Sequence, residues 1–147
     1  MRHQVNRYFI VILFLLISCS DSVADVVVEN DSPILHDGVL SENVGIETLG
    51  GVLTPILESG CKLPCKLSQI FSTAEDNQNQ ITITLVRGTS ELTKDGVNLG
   101  KYQITGIAPA PRGVPQIKVV FGASKGQIWL SASDVSGKSN IKITKVK

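Results

Sequence analysis

Two cysteines four positions apart, Cys61 and Cys65 in the segment CKLPCK, are candidates for redox or metal chemistry. A disulfide between them requires the two Cα atoms to come within about 7 Å, and Pro64 favours the bend that would allow it. A closed disulfide and two free thiols both remain compatible with the sequence. The CxxxC spacing differs from the CxxC of thiol oxidoreductases, and no further Cys or His is placed to complete a metal site.

A second candidate is the segment Ala132–Ser139, ASDVSGKS, which fits a loose form of the phosphate-binding loop with Ala replacing the first Gly. A loop of that kind opens a helix whose N-terminal amides hold phosphate. Here the next residues, NIKITKVK, alternate as in a strand. We therefore expect no nucleotide at this segment and interpret Ser136 and Gly137 as a hairpin turn.

Catalytic groups are sparse. The two histidines are His3, near the N-terminus, and His36, in a polar segment before the β-rich part of the chain, so no Ser-His or Cys-His pair is expected within the latter. Glu75 and Asp76 are adjacent on one loop rather than opposed across a cleft. The formal net charge is +1, which does not favour nucleic acid. We expect no enzyme activity, no cofactor and no metal.

The N-terminus has the pattern of an export signal: arginines precede the apolar run Tyr8–Ile17, which is too short to span a bilayer comfortably. The following LISC resembles the lipobox of bacterial lipoproteins, in which the cysteine is acylated. Lipidation of Cys19 is therefore predicted, although a signal peptide with an incidental cysteine gives the same pattern. In a Gram-negative host, Ser20 after that cysteine resembles an outer-membrane address, so we expect the protein in the cell envelope, anchored on the periplasmic face of the outer membrane.

These features divide the chain into a signal peptide over residues 1–18, a lipidated and flexible tether over residues 19–43, and a domain over residues 44–147. The domain consists of short β-rich runs separated by Gly, Pro, Asn and Asp, which is typical of an all-β sandwich. Phe71, Phe121 and Trp129 are expected to form much of its core. The predicted strands are Val44–Thr48, Val52–Leu57, Lys66–Ser72, Ile81–Arg87, Tyr102–Gly106, Gln116–Gly122, Gln127–Ser133 and Asn140–Val146.

Four segments of this domain carry a family resemblance: GIETLGGVLTPI, SQIFSTAEDNQNQITITLVRG, LGKYQITGIAPAPRGVPQIKVVF and GKSNIKITK. In this order and spacing they resemble the substrate-binding β-domain of DnaK-type chaperones, the seventy-kilodalton heat-shock family. The resemblance covers about residue 44 to residue 145. It implies a two-layer antiparallel β-sandwich whose loops hold an extended peptide and whose central pocket takes one apolar side chain.

The resemblance also implies roles for individual residues. Ile81 corresponds to the pocket floor, Ile83 and Ile117 to its flanks, and Phe71 and Ile46 to its walls. Two groups of positions complete the site. Leu49 and Ala74 correspond to the pair that arches over the peptide, and Thr48, Ser72 and Gln78 to positions that bond its main chain.

The sequence also departs from the family pattern. No ATPase domain and no helical lid are expected, so Asp76 and Arg112, which help latch the lid in the family, have no such role here. We predict a holdase-like chaperone that binds unfolded polypeptides without nucleotide. The alternatives are a module whose cleft holds one dedicated partner or its own tether, for example Val26–Val28, and a truncated remnant with little activity.

Overall fold

The computed structural model describes residues 23–28, 35–36, 38–124 and 126–147; for 35–36 it describes the backbone alone. The predicted lipidation site, Cys19, lies outside these ranges. Among the described residues no helix is both long and apolar enough to cross a membrane. The described residues form eleven strands and one 3-10 turn over Thr93–Asp95. The strands are β1 (Ala24–Val28), β2 (Leu35–His36), β3 (Val39–Leu40), β4 (Asn43–Thr48), β5 (Val52–Leu57), β6 (Cys65–Phe71), β7 (Gln80–Gly88), β8 (Val97–Thr105), β9 (Ile117–Ser124), β10 (Gln127–Asp134) and β11 (Lys142–Val146).

Nine of these strands form two antiparallel sheets. The four-stranded sheet has the order β1-β10-β9-β6, and the five-stranded sheet has the order β11-β8-β7-β4-β5. A small β2-β3 pair lies outside them. The predicted all-β sandwich is therefore confirmed. Its inward-facing side chains alternate with outward-facing ones, as the sequence pattern requires.

The core lies between the inner faces of the two sheets. Phe121 and Leu130 of the four-stranded sheet and Leu85 and Ile104 of the five-stranded sheet are almost completely buried. Tyr102, which the sequence did not single out, is also buried, and its hydroxyl donates to the Leu99 carbonyl at 3.2 Å.

Trp129 is only half-buried, so its predicted place in the core is wrong. It points to the outer face of the four-stranded sheet, because its neighbours Ile128 and Leu130 on β10 take the inward positions. There the indole lies against Gly122, its cross-strand partner, where a Cβ atom would collide with the ring.

Most predicted strand limits agree with the structure within one or two residues, but β8 begins at Val97 rather than at Tyr102. Gly100, which precedes the predicted strand, has a φ of 124° and lies where the β7–β8 register shifts between Leu85 and Val86. A bulge of this kind accommodates an extra residue without ending the pairing. The glycine therefore marks an irregularity inside the strand.

The folded domain also begins earlier than the predicted boundary at residue 44. β1 pairs with β10 along its whole length, and Val28 is buried in the core with 4% of its surface exposed. Ala24 and Val26 pack against the same core because they share the inward face of the strand. Residues 24–28 are thus part of the sandwich, and Val26–Val28 lie at the edge of the four-stranded sheet rather than in a cleft.

The predicted turn at Ser136 and Gly137 is present, but it is not a hairpin. β10 belongs to the four-stranded sheet and β11 to the five-stranded sheet, so the turn carries the chain from one layer to the other. Gly137 has a φ of 68°, which favours glycine, and its amide donates to the Asp134 carbonyl at 3.0 Å. The chain continues into strand β11, not into a helix of the phosphate-binding kind.

Cys61 and Cys65 are joined in a disulfide, with their Cα atoms 6.4 Å apart. The bond closes the connection between β5 and β6, and both cysteines pack against the core. Together with Ile56 and Leu67 they line a depression of about 300 Å³ between the edges of the two sheets. The disulfide therefore fixes the place where the chain passes from one sheet to the other.

Replacing both cysteines, Cys61→Ser with Cys65→Ser, is expected to lower the free energy of unfolding by about 2 kcal/mol, the chain-entropy value for so small a loop. Urea unfolding monitored by Trp129 fluorescence would measure the change. A reducing agent should destabilise the wild type by a similar amount and leave the double variant unaffected. Equal stability of the oxidised and reduced wild type would contradict this role of the disulfide.

Candidate functional site

Four connections meet at one end of the sandwich, which we call the cleft end. They are residues 49–51, 72–79, 106–116 and 135–141. The strand register brings them together, because Phe71 pairs with Ile117 on one sheet and Gln80 pairs with Thr105 on the other. All ten residues predicted to contact a peptide lie in these connections or on the strands that lead to them.

Three of the predicted pocket residues are partly accessible apolar side chains. Ile46, Phe71 and Ile81 are half-buried and rest on the core cluster. The ring of Phe71 lies 6.4 Å from that of Phe121, which anchors it to the inner face of β9. These side chains keep part of their apolar surface accessible while the core supports them from below.

Ile83 and Ile117 do not flank an accessible pocket. Their exposed fractions are 4% and 0%, and both belong to the hydrophobic core. They alternate with outward-facing neighbours, so their side chains point between the sheets, where the opposite layer covers them. They can support the pocket from beneath, but a peptide could not touch them without a change in the fold.

The connection 49–51 projects from the cleft end. Leu49 is fully exposed, and Gly50 and Gly51 have φ angles of 88° and 72°, so the tight turn depends on glycine. The Thr48 hydroxyl lies 2.9 Å from that of Thr54, across the β4–β5 pair. An exposed leucine held on a defined turn is suited to apolar contact with a bound chain.

Residues 89–96, which we call the brace, contact this turn from outside and hold it in place. The Thr93 amide donates to the Gly51 carbonyl at 2.9 Å. The Thr93 hydroxyl lies 3.0 Å from the same carbonyl and 3.1 Å from the Glu47 carboxylate, either of which can accept its proton. Leu92 forms an isolated β-bridge with Val52. Sequence reasoning missed this brace, because no local pattern links positions more than 40 residues apart.

The connection 72–79 is fixed by its own side chains. The side-chain oxygen of Gln78 accepts hydrogen bonds from the backbone amides of Ala74 at 2.8 Å and Glu75 at 3.1 Å. The side-chain nitrogen of Gln78 donates to the backbone carbonyl of Gln80 at 2.7 Å. Asn77 has a φ of 57°, which asparagine tolerates better than most residues. Gln78 thus holds the loop in one shape.

Contacts with the connection 106–116 hold the same loop from the other side. The Ser72 hydroxyl donates to the Pro115 carbonyl at 2.6 Å, and the Gly113 amide donates to the Thr73 carbonyl at 3.0 Å. The Asp76 carboxylate accepts the Arg112 amide at 2.9 Å. Asp76 therefore joins the two connections.

The turn after β10 completes the cleft end. The Asp134 carboxylate accepts the Ser136 amide at 2.9 Å and the Ser136 hydroxyl at 2.8 Å. Burial raises the pKa of Asp134, but hydrogen bonds from Ser139 and Ser136 outweigh this effect and hold the pKa below its ordinary value. The Ser139 hydroxyl also accepts the Ala108 amide at 3.0 Å, which links this turn to the connection 106–116.

The cleft end thus combines partly accessible apolar side chains, which rest on the core, with loops that are held by hydrogen bonds. A family model described as Hsp70 protein matches residues 22–147 of the chain. The chain belongs to the Hsp70 family. The match confirms the predicted family and begins just before β1, in agreement with the early start of the fold. Its two-layer sandwich is consistent with the Hsp70 substrate-binding β-domain, which supports a chaperone-type peptide-binding role.

Within this Hsp70-type domain, three predicted peptide contacts have a role that the structure does show. The side chains of Thr48, Ser72 and Gln78 are hydrogen-bonded within the domain itself. They position the connections on either side of Ile81. Direct bonds from these residues to a peptide stay a prediction, as does the arch formed by Leu49 and Ala74.

The brace gives a first test of this Hsp70 site. Thr93→Val should raise the Kd for a Leu-rich heptapeptide about 2- to 10-fold, since one hydrogen bond contributes about 0.5–1.5 kcal/mol. Thr89→Val is the matched control, because Thr89 is exposed on the same connection and has no side-chain hydrogen bond within the described chain. Fluorescence anisotropy of a labelled peptide would measure both. Equal Kd values for the two variants would show that the brace does not contribute to peptide binding.

Proposed function

We propose that this protein binds extended apolar segments of unfolded polypeptides at the cleft end and acts as a holdase-like chaperone without nucleotide. One observation carries the proposal: Ile46, Phe71 and Ile81 present half-buried apolar side chains that rest on the core, on strands that lead to loops held in place by hydrogen bonds. Fixed loops reduce the entropy that binding must overcome. In a domain of the Hsp70 family, this arrangement favours a peptide as the guest.

The expected affinity is modest. Burying one Leu-like side chain contributes about 1.5–3 kcal/mol, and each net hydrogen bond to the peptide backbone contributes about 1 kcal/mol. After the cost of ordering the peptide, the sum corresponds to Kd values on the order of micromolar. Such binding exchanges quickly and tolerates many sequences, as a holdase requires.

We also propose that Cys19 carries lipid and anchors the protein in the cell envelope, on the periplasmic face of the outer membrane. The support is the LISC segment after an apolar run, followed by Ser20. Several acyl chains on one residue would hold the protein stably, since each buried methylene contributes about 0.8 kcal/mol. The chain has no catalytic role in this proposal; its partners are unfolded polypeptides and the membrane.

The peptide site is tested by Ile81→Phe, which places a larger ring where the guest side chain would enter. Peptide binding to residues 22–147 is expected to weaken at least tenfold, with little change in unfolding free energy. Ile143→Phe is the control, because Ile143 lies in the same inward row, paired to Ile104, which itself pairs with Ile81. Unchanged binding in Ile81→Phe would exclude this pocket.

Promiscuity separates a holdase from a module with one dedicated partner. A holdase should bind a panel of unrelated Leu-rich peptides with similar Kd values and suppress aggregation of an unfolded client, and ATP should change neither result. Binding of one sequence alone would favour the dedicated module. No binding by the wild type would favour a remnant with little activity.

The anchor is tested by Cys19→Ser in the full chain. This change should abolish acylation, which mass spectrometry would detect, and move the protein from the membrane to the soluble fraction. Ser20→Thr leaves the cysteine in place and should preserve acylation. A Cys19→Ser variant with unchanged processing and fractionation would rule out the anchor.

A further inference from the structure

The first strand brings the N-terminal segment to the cleft end. β1 runs antiparallel to β10, with Ala24 opposite Ala132 and Val28 opposite Ile128. β10 ends at the cleft end with Asp134, so β1 begins there and runs away from it. β1 therefore ends at the opposite end of the sandwich. β4 starts at that same end, where Asn43 pairs with Gly88. Without β1, the tether would enter the sandwich at that opposite end.

Packing fixes β1 in this place. Every residue from Ala24 to Val28 has a partner on β10, and the inward side chain of Val28 is buried in the core. Ala24 and Val26 rest on the same core cluster. Releasing the strand would expose these apolar groups and uncover the edge of β10, so the docked state is favoured.

The short distance from the proposed lipid site to β1 limits where the membrane can be. Cys19 precedes Ala24 by five residues, which can span at most about 18 Å. A nine-residue strand such as β7 is about 30 Å long, so the far end of the sandwich is out of reach of that segment. An undocked tether from Cys19 to Asn43 could instead extend about 80 Å, which would leave the orientation open.

The surface of the cleft end suits approach to a bilayer. Its four connections carry two acidic residues, Glu75 and Asp76, and two basic residues, Arg112 and Lys138, so their formal charges cancel. Anionic lipid headgroups would therefore not repel this end strongly. The same connections present exposed apolar side chains at their tips, namely Leu49, Val114 and Val135.

We propose that β1 is an orienting strand, which holds the peptide cleft toward the bilayer to which Cys19 anchors the chain. The partner that fits is an extended apolar segment of a polypeptide at the surface of that same bilayer. This inference rests on the proposed acylation of Cys19 and deepens the proposed peptide binding by specifying where the peptide is captured. The docked strand, rather than the length of the tether, sets the direction in which the cleft end faces.

Labels at the two ends of β10 test the orientation in the full acylated chain, reconstituted in vesicles with an acceptor dye on lipid headgroups. Val135→Cys places a donor at the cleft end, and Gln127→Cys places it about 26 Å away at the opposite end. Both positions are exposed. Because Cys61 and Cys65 are bonded and Cys19 is acylated, the new cysteine is the only free thiol. Energy transfer should be severalfold stronger from position 135.

Two insertions of the same 20-residue Gly/Ser linker separate the role of β1 from that of tether length. Between Ser22 and Val23, the linker lies between the lipid and β1, adds an r.m.s. span of about 25 Å, and should abolish the difference between the labels. Between Asn30 and Asp31, it lies after β1 and should leave the difference intact. If both insertions had the same effect, β1 would not be the orienting element.

Each outcome decides a separate part of the proposal. Equal transfer from the two labels, or stronger transfer from position 127, in a chain whose acyl mass is verified would overturn the orientation. Peptide binding by residues 22–147 would then stand unaffected. If the chain lacked the acyl mass, the proposed anchor would be excluded, and with it the proposed orientation. Loss of peptide binding with the label difference preserved would remove the proposed guest while leaving the orienting role of β1.

Discussion

The inward-facing row of β7 connects the core to the candidate site. Leu85 has no exposed surface, Ile83 has 4%, and Ile81, nearest the cleft end, is half-buried. The alternation that buries the first two side chains also points Ile81 inward, where the covering layer no longer encloses it fully. The site is therefore an extension of the core, and changes to it would be felt in folding as well as binding.

Holding that extension open requires rigid surroundings. The connections beside Ile81 are stabilised by hydrogen bonds from side chains that a peptide-binding site could have used directly, namely Thr48, Ser72 and Gln78. Contacts between distant parts of the chain add to this, as in the Thr93 brace and the bond from Arg112 to Asp76. These hydrogen bonds give the cleft end a fixed shape, which lowers the entropy cost of binding at a site of this kind.

Different features stabilise the edges of the two sheets. β1 covers one edge of the four-stranded sheet, which protects β10 from pairing with other chains, and it begins near the cleft end with Ala24 opposite Ala132. Near the other edge, the disulfide between Cys61 and Cys65 fixes the passage from β5 to β6. The disulfide thus reinforces the crossing between the sheets far from the site, and β1 adds a strand that begins at the cleft end.

The sequence determined the fold class, most strand positions, the family and the set of residues around the site, because alternation, turn residues and long motifs are local properties of the chain. Tertiary structure alone decided which members of an alternating row are accessible, so that Ile81 is reachable whereas Ile83 and Ile117 are core. It also decided that residues 24–28 belong to the sandwich and that Trp129 faces outward. These outcomes depend on what the opposite layer and the neighbouring strand cover, and coverage arises only when distant segments of the chain pack together.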